Sequence, residues 1–401
     1  MLTVTALCSS LALTAVASWD HDPRLADHSV HKLFSRQATF APVGSVEWRS
    51  KFPKGSLGAI ATPQAWLDAM NTAITDGRIP SYENVPVAVT SGTYHSNNGT
   101  ALNGSKTPIC SSAAGCKDDT QIYDAPDGIV AISFDDGPLL ASLALYKFLR
   151  VNNQKATHFF IGSNILANPE IFREAFEVNG DDIAVHTWSH PQMTTLTNEM
   201  VLAELGWTCQ IIHDSTGGRL PRYWRPPYGD SDSRVRAIAR EVFGLQTVIW
   251  NGDTNNWNIP EGSQTLSGAK AILTNRYTGL KSPGLNILEH EVANITVQVF
   301  TDTYQLIAEN GWQAKSIPDA MGASWYLNSK DDTSPVTSRA VAGGVSDASV
   351  AEALDSGRSP ATIGGPKSGP AATPKGKSSG SGRRAVSSAL GLVLFAMVIL
   401  A

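Results

Sequence analysis

The stretch Ser133-Phe134-Asp135-Asp136-Gly137-Pro138 decides how this chain is read. It closes an apolar run that begins at Ile129 and sets two adjacent carboxylates where a strand should give way to a turn. Taken alone it describes no more than an Asp-capped turn. Its weight comes from what stands at the ends of the other apolar runs. His186 and His190 follow the third run, Arg225 ends the fourth, Asp253 follows the fifth and His290 follows the sixth.

Working outward, strand-like runs at Ile129–Phe134, Thr157–Ile161, Ile183–His186, Tyr223–Arg225, Thr247–Asn251, Leu285–Glu289 and Gln313–Ser316 alternate with amphipathic stretches. The latter lie at Leu139–Asn152, Pro169–Asn179, Asn198–Thr216, Ser231–Glu241, Gln264–Tyr277 and Thr296–Asn310. Such alternation predicts a parallel sheet covered by helices. No GxGxxG or P-loop segment follows any run, so the expected α/β fold is a distorted (β/α) barrel of about seven parallel strands rather than an open nucleotide-binding sheet. In such a barrel the strand C-termini converge on one face, so residues from Asp135 to His290 can share a pocket.

Two histidines four apart can present imidazoles to one ion, and a carboxylate completes the set with positions left for water and substrate. One of the paired carboxylates can hold the metal while the other takes a proton from water. A bound divalent ion lowers the pKa of water from ~16 toward ~7, within reach of a carboxylate base.

Five segments, in order, resemble the polysaccharide deacetylases of carbohydrate esterase family 4, and most of all the fungal chitin deacetylases. They are Ser133–Pro138, His186-Thr187-Trp188-Ser189-His190, Arg225-Pro226-Pro227-Tyr228, Asp253-Thr254-Asn255-Asn256-Trp257 and Leu288-Glu289-His290. Ser133 stands where the family usually has Thr, and Asn256 where it often has Asp. The likeness spans roughly residues 127–325. It implies Asp135 as general base, and Asp136, His186 and His190 as ligands of one divalent metal, zinc with cobalt as the substitute. It further implies Arg225 orienting Asp135, Asp253 holding Arg225, and the Tyr228 N–H as an oxyanion donor. Trp257 and Leu288 would line the acetyl pocket, and His290 would serve as general acid. The implied reaction is hydrolysis of N-acetyl groups of chitin or chito-oligosaccharides, giving chitosan and acetate. An esterase for another acetylated glycan such as xylan, or a wall-binding protein without catalysis, stands as the alternative.

The two ends bear on location. Leu2 to Val16 with Ala15-Val16-Ala17 reads as a signal peptide over residues 1–18. Residues 19–126 read as an N-terminal extension packed on the main domain, with a helix over Pro63–Ile79 presenting Trp66, Met70 and Ile74, and with Arg36 as one candidate end of a pro-segment. Residues 326–384 are rich in Ser, Gly, Pro, Ala and Thr and read as a disordered stalk. The apolar tail 385–401 follows Ser378-Ser379-Gly380-Ser381, the candidate attachment residues of a glycosylphosphatidylinositol signal. The expectation is a secreted protein tethered by lipid to the outer face of the plasma membrane or wall.

Residues 327–401 hold eight Lys/Arg against five Asp/Glu, which leaves 23 basic and 31 acidic residues elsewhere, a net of −8. That acidity argues against nucleic acid as a partner. Cys110 and Cys116 read as a disulfide in an oxidising compartment, and Cys209, on a helix face with Val201, Leu205 and Ile212, as a buried thiol. Asn98, Asn103 and Asn294 open glycosylation triplets, the first two in a Gly/Asn/Ser-rich loop. Oligomeric state has no signature here.

Overall fold

The chain is represented by a computed structural model that describes residue 28 and residues 30–34, 39–54 and 62–337. The expected signal peptide, Arg36, the attachment candidates Ser378, Ser379, Gly380 and Ser381, the apolar tail and most of the expected stalk lie outside the described residues. Among the described residues no helix is long and apolar enough to cross a membrane.

The short pair β1 (Tyr94–His95) and β2 (Ala101–Leu102) is antiparallel. All the other strands pair in parallel. They are β3 (Gln121–Ile122), β4 (Ile129–Ala131), β5 (Ser133–Asp135), β6 (Thr157–Phe160), β7 (Asp182–Val185), β8 (Tyr223–Trp224), β9 (Gln246–Val248), β10 (Gly252–Asp253), β11 (Leu285–Leu288) and β12 (Gln313–Lys315). One sheet runs β3-β9-β8-β7-β6-β5 and the other β10-β11-β4-β12. The sheets share two stretches of chain, because β4 leads into β5 and β9 leads toward β10. An Asn251 N–H to Asn286 O bond (2.9 Å) and a parallel bridge between Asp135 and His290 link them further, and together they make a distorted α/β barrel.

All seven expected strands are present. One, Ile129–Phe134, is broken into β4 and β5, which the apolar run does not reveal because it stays apolar through a bend. The strands β3 and β10 are additions: two residues apiece carry too little periodicity to read.

Helices cover the outside. Thr197, Asp232, Thr265 and Ser316 each accept a backbone N–H at a helix start, from Met200, Val235, Gly268 and Asp319. The expected Pro169–Asn179 helix is α-helical over Pro169–Arg173 and π-helical over Glu174–Asn179. The expected Thr296–Asn310 helix is two, Asn294–Thr303 and Gln305–Glu309.

The N-terminal helix Gln64–Thr75 lies on the helices Asn198–Ser215 and Ser233–Phe243. Trp66 is fully buried, edge-on to Trp207 (5.3 Å between centroids) and Phe243 (5.7 Å). Gly206 makes the approach possible, since a Cβ there would lie 2.4 Å from the Trp66 ring. The barrel also extends further than composition implies. Tyr326 and Leu327 are buried, Leu327 N–H bonds Leu220 O (2.9 Å), and Tyr326 pairs with Pro221. Residues 326–337, assigned by composition to the stalk, therefore belong to the fold. Their aromatic and aliphatic anchors are too few to stand out in a polar background. Cys110 and Cys116 form a disulfide, and Cys209 is buried, which pushes its thiol pKa up.

A charged cluster lies behind β5. His158 is wholly enclosed, with Nδ1 2.9 Å from Glu291 Oε1 and Nε2 3.3 Å from Asp181 Oδ2. Burial alone would lower its pKa, but Glu291 and Asp181 outweigh that and raise it to about 10. Glu291 in turn presses against Gly137, where a Cβ would come within 2.5 Å of its carboxyl carbon.

Trp66→Ala should lower unfolding free energy by about 3–5 kcal/mol in urea titration, the usual cost of emptying a buried tryptophan site. Because the folded-state pKa of His158 is raised, its contribution is complete below about pH 6.5 and is lost as pH rises through about 10. Melting temperature should therefore fall across that window, and His158→Gln should melt lower at pH 7 with a flatter alkaline slope.

Candidate active site

The polar residues at the strand ends meet on one face. Asp135 ends β5, and Asp136 follows it with φ 74°. Thr187 (φ 65°), His190 (φ 61°), Tyr228 (φ 59°) and Asn255 (φ 52°) share that left-handed backbone. Five of the seven described non-glycine residues with positive φ thus sit in the loops that follow β5, β7, β8 and β10, where local strain is held by the surrounding packing.

Asp136 Oδ1 lies 3.3 Å from both His186 Nε2 and His190 Nε2, and it is buried without a hydrogen-bond partner among the described residues. His186 Nδ1 donates to Arg225 O (2.7 Å), which turns its Nε2 lone pair toward the same point. One carboxylate oxygen and two imidazole nitrogens thus converge with all ligand atoms within 4.8 Å, the donor set that suits a divalent ion. Burial alone would raise the Asp136 pKa, but the neighbouring His186, helped by His290 and His190, holds it well below the usual carboxylate range. Burial, then the neighbouring His186, lowers the His190 pKa to about 4, which keeps that imidazole neutral and able to ligate.

Beside this set, Arg225 is fully enclosed. One terminal nitrogen donates to Asp135 Oδ1 (2.7 Å); the other donates to Ser133 Oγ (3.0 Å), Asn286 Oδ1 (3.2 Å) and Ile249 O (3.5 Å), with the guanidinium 4.2 Å from the Phe159 ring centre. The expected support from Asp253 is not made by contact. Asp253 Oδ1 instead accepts the Asn255 N–H (2.7 Å), and Arg225 takes Ser133 and Asn286. Asp253 sits in a two-residue strand paired beside Leu288, where the tight turn claims its carboxylate. His290 faces Asp135 across the parallel bridge, and its Nδ1 bonds Asn256 Oδ1 (2.8 Å). Tyr228 is exposed, its ring 4.7 Å from His190; Trp257 is 44% exposed, and Leu288 is buried.

Three positioning side chains escape the sequence reading. Glu204 accepts the N–H groups of Trp188 (2.8 Å) and Ser189 (2.9 Å) and the Ser189 hydroxyl (2.6 Å), tying the loop that carries both histidines to the helix Asn198–Ser215. Asn286 bonds Arg225, and Asn164 Nδ2 bonds Asp136 O (2.8 Å). Each of the first two is a polar residue within an apolar pattern, one on a helix face and one inside β11. That signal was present, but it names no partner.

The fold gathers at one end of the barrel a donor set that could hold a divalent ion, with a carboxylate and a histidine beside it. A polysaccharide deacetylase domain matches residues 123–248. The chain is 44% identical over 349 residues to "Chitin deacetylase 3" of Cryptococcus neoformans var. neoformans serotype D, covering 84% of this chain and 81% of that one. It is 37% identical over 200 residues to "Chitin deacetylase 1" of Saccharomyces cerevisiae, covering 50% of this chain and 63% of that one. A solved chitin deacetylase of Colletotrichum lindemuthianum aligns with TM-score 0.48 and 23% identity, over 51% of this chain and 94% of that one. The chain belongs to the polysaccharide deacetylase family.

Glu204→Ala should leave the fold in place but loosen the histidine loop. Zinc affinity, measured by competition with a chromophoric chelator, should fall by about 10- to 100-fold.

Proposed function

We propose that the chain hydrolyses the N-acetyl groups of N-acetylglucosamine units in chitin or chito-oligosaccharides, leaving chitosan and acetate. The carrying observation is that the Asp136–His186–His190 set, the Arg225-tethered Asp135 and His290 meet at the end of one barrel. Amide hydrolysis needs an activated water, a stabilised oxyanion and a proton for the departing nitrogen, and these residues supply each.

Asp136, His186 and His190 would hold the divalent ion, zinc or cobalt in its place, which when bound would supply Lewis acidity and a lowered pKa for water. Asp135 takes the proton of the attacking water. Arg225, held on Ser133, Asn286 and Phe159, keeps that carboxylate in one orientation. The Tyr228 N–H serves as the backbone oxyanion donor. His290 delivers a proton to the leaving amine from Nε2, since Nδ1 is committed to Asn256. Trp257 and Leu288 line the acetyl methyl pocket, with exposed Trp257 and Tyr228 offering apolar faces to a sugar ring. Asp253 contributes charge near His290 rather than a bond to Arg225. No Ser or Cys nucleophile is involved.

The leader, the stalk and the attachment signal would carry this domain outside the cell and tether it by lipid beside the wall. Asn98 and Asn103 are exposed glycan acceptors. Asn294 is exposed too, although the Thr296 hydroxyl of its triplet is occupied at the helix start by Ala293.

The metal-loaded protein should release acetate from chitin oligomers. Chelation should abolish release, zinc should restore it, and Asp135→Asn should lower kcat by about 100-fold or more with little change in bound metal. Activity that survives either treatment overturns the mechanism; an inert metal-loaded protein overturns the function.

A further inference from the structure

We propose that Glu289 is a positioning residue for His290, acting through the side-chain amide of Asn256. The proposal rests on the reading of His290 as proton donor. His290 Nδ1 stands 2.8 Å from Asn256 Oδ1, and an amide oxygen only accepts, so Nδ1 carries hydrogen and Nε2 is turned to the substrate. An amide can rotate by half a turn and offer NH2 instead. Two contacts oppose that rotation. Asn256 Nδ2 donates to Glu289 Oε2 at 2.8 Å and to Thr296 O at 3.4 Å. The Thr296 carbonyl can only accept but is far, so Glu289 is the stronger hold. Asn256 is wholly enclosed and Glu289 is 3% exposed, which makes a lost contact costly and leaves little competition from water.

Burial pushes the Glu289 carboxyl well above the usual range, with Thr254 opposing the shift and Asp253 adding to it. The ionisable groups facing Glu289 are Asp253 and Tyr277; those facing His290 are Asp136, His190 and Asp253, with Asp135 across the strand pair. With the amide reversed, NH2 would meet Nδ1. The neutral ring would then move its hydrogen to Nε2, and the doubly protonated ring would lose its acceptor. The donor form of His290 would be disfavoured although every reacting group stayed in place.

The test compares Glu289→Leu, Glu289→Gln and the pair Glu289→Leu with Asn256→Asp, all as the full chain loaded with zinc. Steady-state kinetics on a chitin oligomer are followed across pH, and the His290 ring nitrogens by NMR. Glu289→Leu should lower kcat about tenfold with KM changed by about twofold or less, and should move the alkaline limb to lower pH. Its neutral His290 should shift toward the Nε2–H form. Glu289→Gln keeps an acceptor and should stay within about twofold of the parent. Asn256→Asp should restore the Leu variant, because a carboxylate presents oxygen in either rotation. An unchanged tautomer and kcat in Glu289→Leu, or no recovery in the pair, overturns the proposal and leaves Glu289 a packing residue. If the parent protein releases no acetate the proposed function fails, while the tautomer measurement still decides this one.

Discussion

A guanidinium with no access to water has few places to put its charge, and Arg225 puts it on Asp135 at 2.7 Å. Breaking such a pair by removing one partner leaves an uncompensated buried charge, which costs several kcal/mol, so the neighbourhood is arranged to keep it whole. The Ser133 hydroxyl, the Asn286 amide and the Phe159 ring complete the shell around Arg225. These partners come from β5, β11 and β6, so one ion pair ties three strands at the end where the pocket opens. The same arginine accepts His186 Nδ1 through its backbone carbonyl, which links the metal-binding face to the base.

The surrounding fold serves this constraint with two kinds of device. One is polar anchoring from behind: Glu204 grips the histidine loop, Asn164 the Asp136 carbonyl, and the enclosed His158–Glu291–Asp181 cluster backs Gly137. The other is backbone geometry, since Asp136, Thr187, His190 and Tyr228 all take left-handed φ values in the loops that follow the strands. Such conformations persist where packing over-determines them.

The line between what was legible and what was not runs through particular residues. Asp135, Asp136, His186, His190 and His290 stand at the ends of apolar runs, and a parallel barrel brings such ends together whatever the details. The family resemblance implied Asp253 as the holder of Arg225, yet the turn after β10 uses its carboxylate on Asn255, and Asn286 bonds Arg225 instead. Asn256 read as a departure from the family pattern; in space it is the partner of His290.

Periodicity, strand-end chemistry and the order of the five segments determined the α/β class, the approximate strand count and the identity of the converging groups, because these depend on local pattern and on a general property of parallel sheets. The partner of each side chain was decided only by tertiary structure. So were the split of the first strand, the addition of β3 and β10 and the inclusion of residues 326–337 in the fold. Hydrogen-bond partners lie tens of residues apart in sequence and are chosen by angles and distances of about 3 Å, which a linear pattern does not contain.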